Sequence, residues 1–384
     1  MSYKILQATE YFLPDVERGI ERFVYELSKG LIERGNRVTV LTGGNDDNKT
    51  IDGMRVIYAP MYGSGIMQAS RNLYDQRLTF VPSGVLKMNT DDSDIIHAHH
   101  FAGGYAATLL RGSKKRPLVM TVHVVPRSSI LASPVPVYRM MYRKALQRSS
   151  CVVSVTEYVK YAVKKDFGID SVVVPLCVDI ERFKPAKDKE RLKAELGLPP
   201  APIILMVSSL NDRRKRAGMI ISAMPSVLKK ISDARLVLAG NLSGDMKEDL
   251  EKLVSGLGLK ENVIFTGRLE DDALPKYYAA ADVFVLPSRE EAAGFVLLEA
   301  MASGVPLVGA NSGGIPEYVR DGINGLLFDP RKVDDLAEKV ISILASDSDS
   351  RTYGRKGRHL AVTEHSWPVA VKRYDEIYGN VVMN

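Results

Sequence analysis

The 384-residue chain holds only two cysteines, Cys151 and Cys177, and they lack the paired spacing of a zinc site. Both lie in apolar stretches and are expected in the core. No segment approaches the roughly 18 consecutive apolar residues of a membrane span. The start, Met1-Ser-Tyr-Lys-Ile-Leu-Gln7, has no signal-peptide organisation, so a cytoplasmic location is expected. No internal repeat or low-complexity segment is visible. Acidic side chains are missing altogether from Ile95 to Thr156, where nine Lys or Arg occur. The net charge of +6 permits anionic partners, but no nucleic-acid-binding motif accompanies it and nucleic acid is not expected as a partner.

What is present is enough apolar material, 45% of 384 residues, for two domains with separate cores. Short Val/Ile/Leu runs alternate with helical patterns at Tyr3 to Ala8, Arg37 to Thr42, Ile95 to His99, Leu118 to Val122 and Cys151 to Val155. A second series follows Pro175, with strands expected at Ile203 to Val207, Arg235 to Ala239, Val263 to Thr266, Asp282 to Leu286 and Pro306 to Gly309. Such alternation predicts βαβ units and parallel sheets. The expected fold class is α/β, two doubly wound Rossmann-like domains facing a cleft, with the boundary at 175/176 and a linker over Pro175 to Pro185. Ligands of such sheets bind at the carboxyl ends of the strands.

Glu291 and Glu299, separated by seven residues within Pro287 to Pro306, fall at such an end. The run Asp282-Val-Phe-Val-Leu-Pro287 reads as a buried strand and Leu297 to Ser303 as a helix stopped by Gly304. Glu291 is thereby placed in the strand-to-helix loop and Glu299 early in the helix, where carboxylates can accept hydrogen bonds from sugar hydroxyls. A solvated helix face is the competing reading of the pair alone. Downstream, Ser312-Gly-Gly-Ile-Pro-Glu317 follows a strand and opens a helix, with Pro316 suited to the first turn and free amides expected toward the cleft. Between them in function, Asn211-Asp-Arg-Arg-Lys-Arg216 carries four consecutive bases, which fit a phosphate site or a solvated basic loop.

Together these segments resemble the donor-sugar signature of retaining, GT-B-fold glycosyltransferases of family 4, a resemblance that continues through Asp321-Gly-Ile-Asn-Gly-Leu-Leu-Phe-Asp-Pro330 and covers nearly the whole chain. The resemblance implies a nucleotide-diphosphate-sugar donor and an acceptor hydroxyl, with no cofactor or metal. It assigns Glu291 and the backbone of Gly294, Phe295 and Val296 to the sugar, Glu299 to the ribose, and Lys215 to the leaving diphosphate. Ser209 stands where the family usually carries Arg, and Arg213, Arg214 or Arg216 is expected to fill the gap. The base is expected near Gly267-Arg268-Leu269. In the first domain Tyr11 to Arg22 resembles the family's glycine loop, with Gly19 retained and Arg18 in place of the second glycine. His99 matches the cleft histidine near the reaction centre, which makes His99, Lys215 and Glu291 the expected catalytic set. The segment at about 366–384 resembles the last helix, which packs back on the first domain.

Strand ends make His99 and His123 exposed candidates on the acceptor side, with His97 pointing the opposite way into the core. Asp92-Ser-Asp94 and Asp347-Ser-Asp349 have the spacing of a metal-binding Asp-X-Asp but lack its strand context. Residues 111–148 combine Lys114, Lys115, Arg116, Arg139, Arg143, Lys144 and Arg148 with Val137, Met140, Met141, Ala145 and Leu146. That mixture fits peripheral contact with an anionic membrane and thus a glycan or lipid-linked acceptor, or a core helix with snorkelling bases. A nucleotide-sugar 2-epimerase and a non-catalytic nucleotide-sugar-binding protein share the fold and stay open as alternatives.

Overall fold

The computed structural model describes residues 2–13, 19–61, 73–111, 115–126 and 136–383. The chain divides into two compact units, Met1–Pro175 with Trp367–Asn384, and Leu176–Ser366.

The first unit is built on a sheet whose strands are β1 (Lys4–Ala8), β2 (Arg37–Gly43), β3 (Lys49–Ile51), β4 (Met54–Ala59), β5 (Ile95–Ala98), β6 (Leu118–Val122), β7 (Cys151–Ser154) and β8 (Val172–Val173). They lie in the order β3-β4-β2-β1-β5-β6-β7-β8, all parallel except the β3/β4 pair. Helices α1 (Gly19–Glu33), α2 (Leu73–Thr90), α3 (Phe101–Thr108), α4 (Pro136–Arg148) and α5 (Glu157–Phe167) connect them. Strands β1, β5 and β6 are buried almost end to end, as expected of a parallel sheet covered on both faces.

The second unit contains α6 (Lys189–Glu195), β9 (Ile203–Val207), a 3₁₀ turn at Arg213–Lys215, α7 (Ala217–Leu228), β10 (Arg235–Ala239), α8 (Gly244–Gly256), β11 (Val263–Gly267) and α9 (Leu274–Ala280). It continues with β12 (Val283–Leu286), α10 (Phe295–Ala302), β13 (Leu307–Ala310), α11 (Ile315–Tyr318), β14 (Gly325–Phe328), α12 (Val333–Leu344) and α13 (Asp347–Glu364). Its sheet is parallel, in the order β11-β10-β9-β12-β13-β14.

The last helix, α14 (Trp367–Met383), packs on α1 of the first unit. At Gly30 an added Cβ would lie 2.5 Å from Val371 Cγ2, so glycine lets the two helices approach closely. Arg34 Nη2 reaches Asp375 Oδ2 at 3.0 Å across the same seam, and Tyr374 and Tyr378 are fully buried beneath it.

Two expectations are corrected here. Pro175 to Pro185 is not a loose linker, because Cys177, Val178 and Phe183 are buried in the second unit and Arg358 Nη1 ties down the carbonyls of Ile180 and Phe183 at 2.9 and 2.8 Å. Cys177 is a core residue, whereas Cys151 at the start of β7 is only half-buried. Asp92 and Asp94 engage Lys4, through its Nζ at 2.6 Å and its backbone N–H at 2.8 Å.

Candidate active site

In the second sheet the chain runs outward from β9 to β11, then crosses to β12 on the other side of β9. The connections of β9 and β12 therefore leave in opposite directions. A crevice opens between their carboxyl ends, the topological switch point where open α/β sheets bind ligands. The β9 loop delivers Lys215 and the β12 loop delivers Glu291. Lys215 Nζ donates to Glu291 Oε2 at 2.6 Å, with both side chains partly exposed to solvent.

Backbone contacts lock the two loops together. The Arg289 N–H donates to the Arg214 carbonyl at 2.8 Å, and the Gly314 N–H donates to the Glu291 carbonyl at 2.8 Å. The Gly-Gly motif thus braces the Glu291 loop, and the Gly314 amide, expected to be free, is spent on that bond. Gly313 has φ +60°, and a Cβ there would sit 2.4 Å from the Glu291 carbonyl oxygen. Arg216 and Glu290, the neighbours of the paired residues, are non-glycines in the left-handed region, at φ 55° and 61°. Strain of about 1–3 kcal/mol at each is the kind concentrated at functional sites.

Gly294 (φ 102°) precedes α10, whose first turn holds Phe295 and Val296, both half-buried. The first amides of a helix have no intrahelical acceptor and face a positive dipole end, so this turn suits an oxygen-rich ligand. Glu299 lies in the middle of α10 and accepts from the Tyr278 hydroxyl at 2.7 Å. Burial, reinforced by Glu299, raises the Tyr278 phenol well above its ordinary value, so it stays a donor.

Other expected residues fall elsewhere. Asp212 holds Arg214 by its Nη2 at 2.8 Å and its Nε at 3.1 Å, and the charges of Glu291 and Glu290 also act on this guanidinium. Arg213 reaches Asp249 at 3.3 Å and Arg216 the Pro330 carbonyl at 2.5 Å. Ser209 is exposed just past β9. Arg268 is exposed beyond the edge strand β11, with β10 between it and β9.

The first unit has its own switch point between β1 and β5. Here the structure corrects the histidines: His99 and His123 are 3% and 8% exposed. Phe23 of α1 covers them, with ring centroids at 5.9 and 4.9 Å, and Trp367 of α14 packs on Phe23 at 5.4 Å. His97 and His99 do not oppose each other; residues two apart on a strand share a face, and their rings lie 4.1 Å apart. His99 bonds Gln7 Oε1 at 2.7 Å and His123 Nε2 at 3.1 Å. His97 bonds the Tyr378 hydroxyl at 2.7 Å and Thr121 Oγ1 at 2.8 Å. Burial drives all three imidazoles down, His123 to about 3, and the neighbouring histidines reinforce the shift, so they are neutral. Gln7, Thr121 and Glu10 had escaped the sequence reading. Glu10 is fully buried, and its Oε1 accepts from the Ala102 and Gly103 N–H groups at 3.0 and 3.1 Å. An acidic residue directly after an apolar strand was the available signal for it. Gly19 opens α1, while Pro14 to Arg18 of the glycine loop lie outside the described residues.

The basic segment divides in the same way. Arg139, Arg143 and Arg148 are exposed on α4, together with Met140 (53%) and Val137 (38%). Met141, Ala145 and Leu146 are buried. Arg116 belongs to the interior rather than to this surface, with bonds to Met88 O at 2.6 Å and Ser93 Oγ at 2.7 Å. Lys114 and Ile130 to Val135 lie outside the described residues. Among the described residues no group of three or more His, Cys, Asp or Glu is placed to hold a metal ion, and no helix is long and apolar enough to cross a membrane.

Residues 18–182 match the model of the family described as Glycosyltransferase Family 4, and residues 188–360 that of Glycosyl transferases group 1. An uncharacterized glycosyltransferase of Methanocaldococcus jannaschii is 30% identical, covering 98% of this chain and 97% of that protein. The chain belongs to glycosyltransferase family 4. As a member it is a transferase. A GDP-mannose-dependent alpha-(1-6)-phosphatidylinositol monomannoside mannosyltransferase of Mycolicibacterium smegmatis is 33% identical over 64% of this chain. That match spans 66% of the mannosyltransferase, just under two thirds of its length. Among solved structures, sucrose-phosphate synthase from Thermosynechococcus elongatus superimposes with a TM-score of 0.83 at 24% identity, covering 99% of each chain. An Anabaena protein, HepE, in complex with UDP and glucose, gives 0.78 at 21% identity over 98% of this chain and 100% of that one. These likenesses establish the GT-B fold.

Proposed function

We propose that this family 4 enzyme moves a sugar from a nucleoside-diphosphate sugar to an acceptor hydroxyl with retention of anomeric configuration. The observation that carries this reading is the Lys215–Glu291 pair at the switch point, a cation and a carboxylate of opposite tasks held in one crevice. Lys215 stabilises the departing diphosphate, Glu291 and the first turn of α10 hold the transferred sugar, and Glu299, oriented by Tyr278, takes the ribose hydroxyls. The departing phosphate helps accept the acceptor proton on the same face. Charge neutralisation by side chains makes a metal ion unnecessary in this scheme.

The acceptor falls to the first unit, at the ends of β1 and β5 near His99 and His123. Since the imidazoles are buried and neutral, His99 acts there as a positioning group fixed by Gln7 and His123. The relatives named for phosphatidylinositol mannosides, together with the basic, partly apolar face of α4, favour a lipid-linked acceptor at the inner face of an anionic membrane.

The test is a transfer assay with the full chain, GDP-mannose and UDP-glucose as donors, and vesicles containing phosphatidylinositol or its mannosides. A glycolipid product whose anomeric centre is retained by NMR, lost in Glu291→Ala, supports the reading. Acceptor-independent epimerisation, or equal product from Glu291→Ala, contradicts it.

A further inference from the structure

A diphosphate presents more negative oxygen than one ammonium group satisfies, and bidentate guanidinium is the side chain best matched to it. Among the four consecutive bases of the β9 loop each of the three guanidiniums is already engaged. Arg213 is drawn to Asp249, Arg214 is clamped on Asp212, and Arg216 is turned by its left-handed backbone onto the Pro330 carbonyl. Only Lys215 of the four meets Glu291.

The β12 loop carries a further base, Arg289. It is exposed, and among the described residues its side chain has no ion-pair or hydrogen-bond partner, while its backbone N–H is anchored on the Arg214 carbonyl at 2.8 Å. Strands β9 and β12 run in step, Ile204 beside Val283 and Leu205 beside Phe284. The carbonyl that anchors Arg289 belongs to the residue just before Lys215, in the loop that also carries the exposed, short Ser209. Glu290, next to Arg289, is left-handed (φ 61°), and Glu291 beyond it meets Lys215.

We propose that Arg289 is a donor-binding residue that grips the diphosphate of the nucleotide sugar together with Lys215. The inference rests on the reading of this crevice as the nucleotide-sugar site and deepens it by naming a second phosphate ligand.

The experiment is calorimetric titration of the full chain with UMP, UDP, GMP and GDP, for wild type, Arg289→Ala, Arg289→Lys and Arg213→Ala, at low and high salt. Thermal melting confirms that each variant is folded. The expected result is a loss of about 10- to 100-fold in diphosphate affinity for Arg289→Ala, with monophosphate affinity little changed. Arg289→Lys recovers part of the loss, the salt dependence becomes shallower in Arg289→Ala, and Arg213→Ala binds as wild type. Wild-type diphosphate affinity in Arg289→Ala overturns the inference and makes Arg289 a solvated surface residue. Failure of the wild type itself to bind any diphosphate overturns the nucleotide-sugar reading and the inference with it, and the wild-type titration distinguishes that case.

Discussion

Lys215 and Glu291 stand 76 positions apart in the chain, yet their charged atoms meet at 2.6 Å. The pairing exists because β9 and β12 are neighbours in the sheet and their loops turn toward each other. In the proposed scheme the pair parts when a donor enters, the ammonium going to phosphate and the carboxylate to sugar. Glu291→Ala is expected to lower transfer by about 100- to 1,000-fold. The pair is partly solvated, so stability should change by about 1 kcal/mol or less. Comparing kcat with the melting temperature separates the two effects, and retained activity would count against the assignment.

Gly313 is expected to tolerate no side chain. Alanine there meets the Glu291 carbonyl at 2.4 Å with a backbone at φ +60°. Gly313→Ala should cost about 1–3 kcal/mol and reduce kcat by displacing the Glu291 loop. Melting and steady-state kinetics on one preparation check this; an unchanged kcat would show that the brace is dispensable.

Much of this architecture was legible because buried parallel strands are continuous apolar runs. Ile203–Val207, Arg235–Ala239 and Leu118–Val122 are strands over the spans read from sequence. The strands missed were Lys49–Ile51, Val172–Val173 and Gly325–Phe328, each at a sheet edge, and the inner strand Met54–Ala59. Glu291 and Lys215 were each visible from their motifs, but their contact was not, since it depends on strand order. The burial of His99 and His123 was hidden for the same reason, because the residues that close over them, Phe23 and Trp367, come from distant helices. The pairing of Arg214 with its own Asp212, two residues back, was likewise not legible from the run of bases.

Tyr278 joins the core to the site. Its ring packs on Phe183 and Phe284 at 5.7 and 5.6 Å, and its hydroxyl donates to Glu299. Tyr278→Phe keeps the packing and removes the bond, so a loss of about 1 kcal/mol in stability is expected. A modest rise in donor KM should follow as Glu299 loses its orientation. Equal KM values for the two proteins would detach Tyr278 from nucleotide binding.

The buried histidines set a direction for acid stability. A group whose pKa is lower folded than unfolded stabilises fully above its unfolded value, about 6.5, and that contribution fades as pH falls toward the folded value. For His123 the window runs from about 6.5 down to about 3. Melting temperature should therefore fall with acidification below about pH 6.5. His123→Gln should flatten that limb, and an unchanged pH profile in the variant would refute the assignment.

The most direct test of the central claim is thermal stabilisation of the full chain by UDP, GDP and ADP and their sugars, with and without a chelator. Ligand that binds only the folded protein raises its melting temperature by mass action. A chelator-insensitive rise with one nucleotide, abolished or strongly reduced in Lys215→Ala, is the predicted result. No rise with any nucleotide in the wild type would contradict the placement of the donor at the β9/β12 crevice.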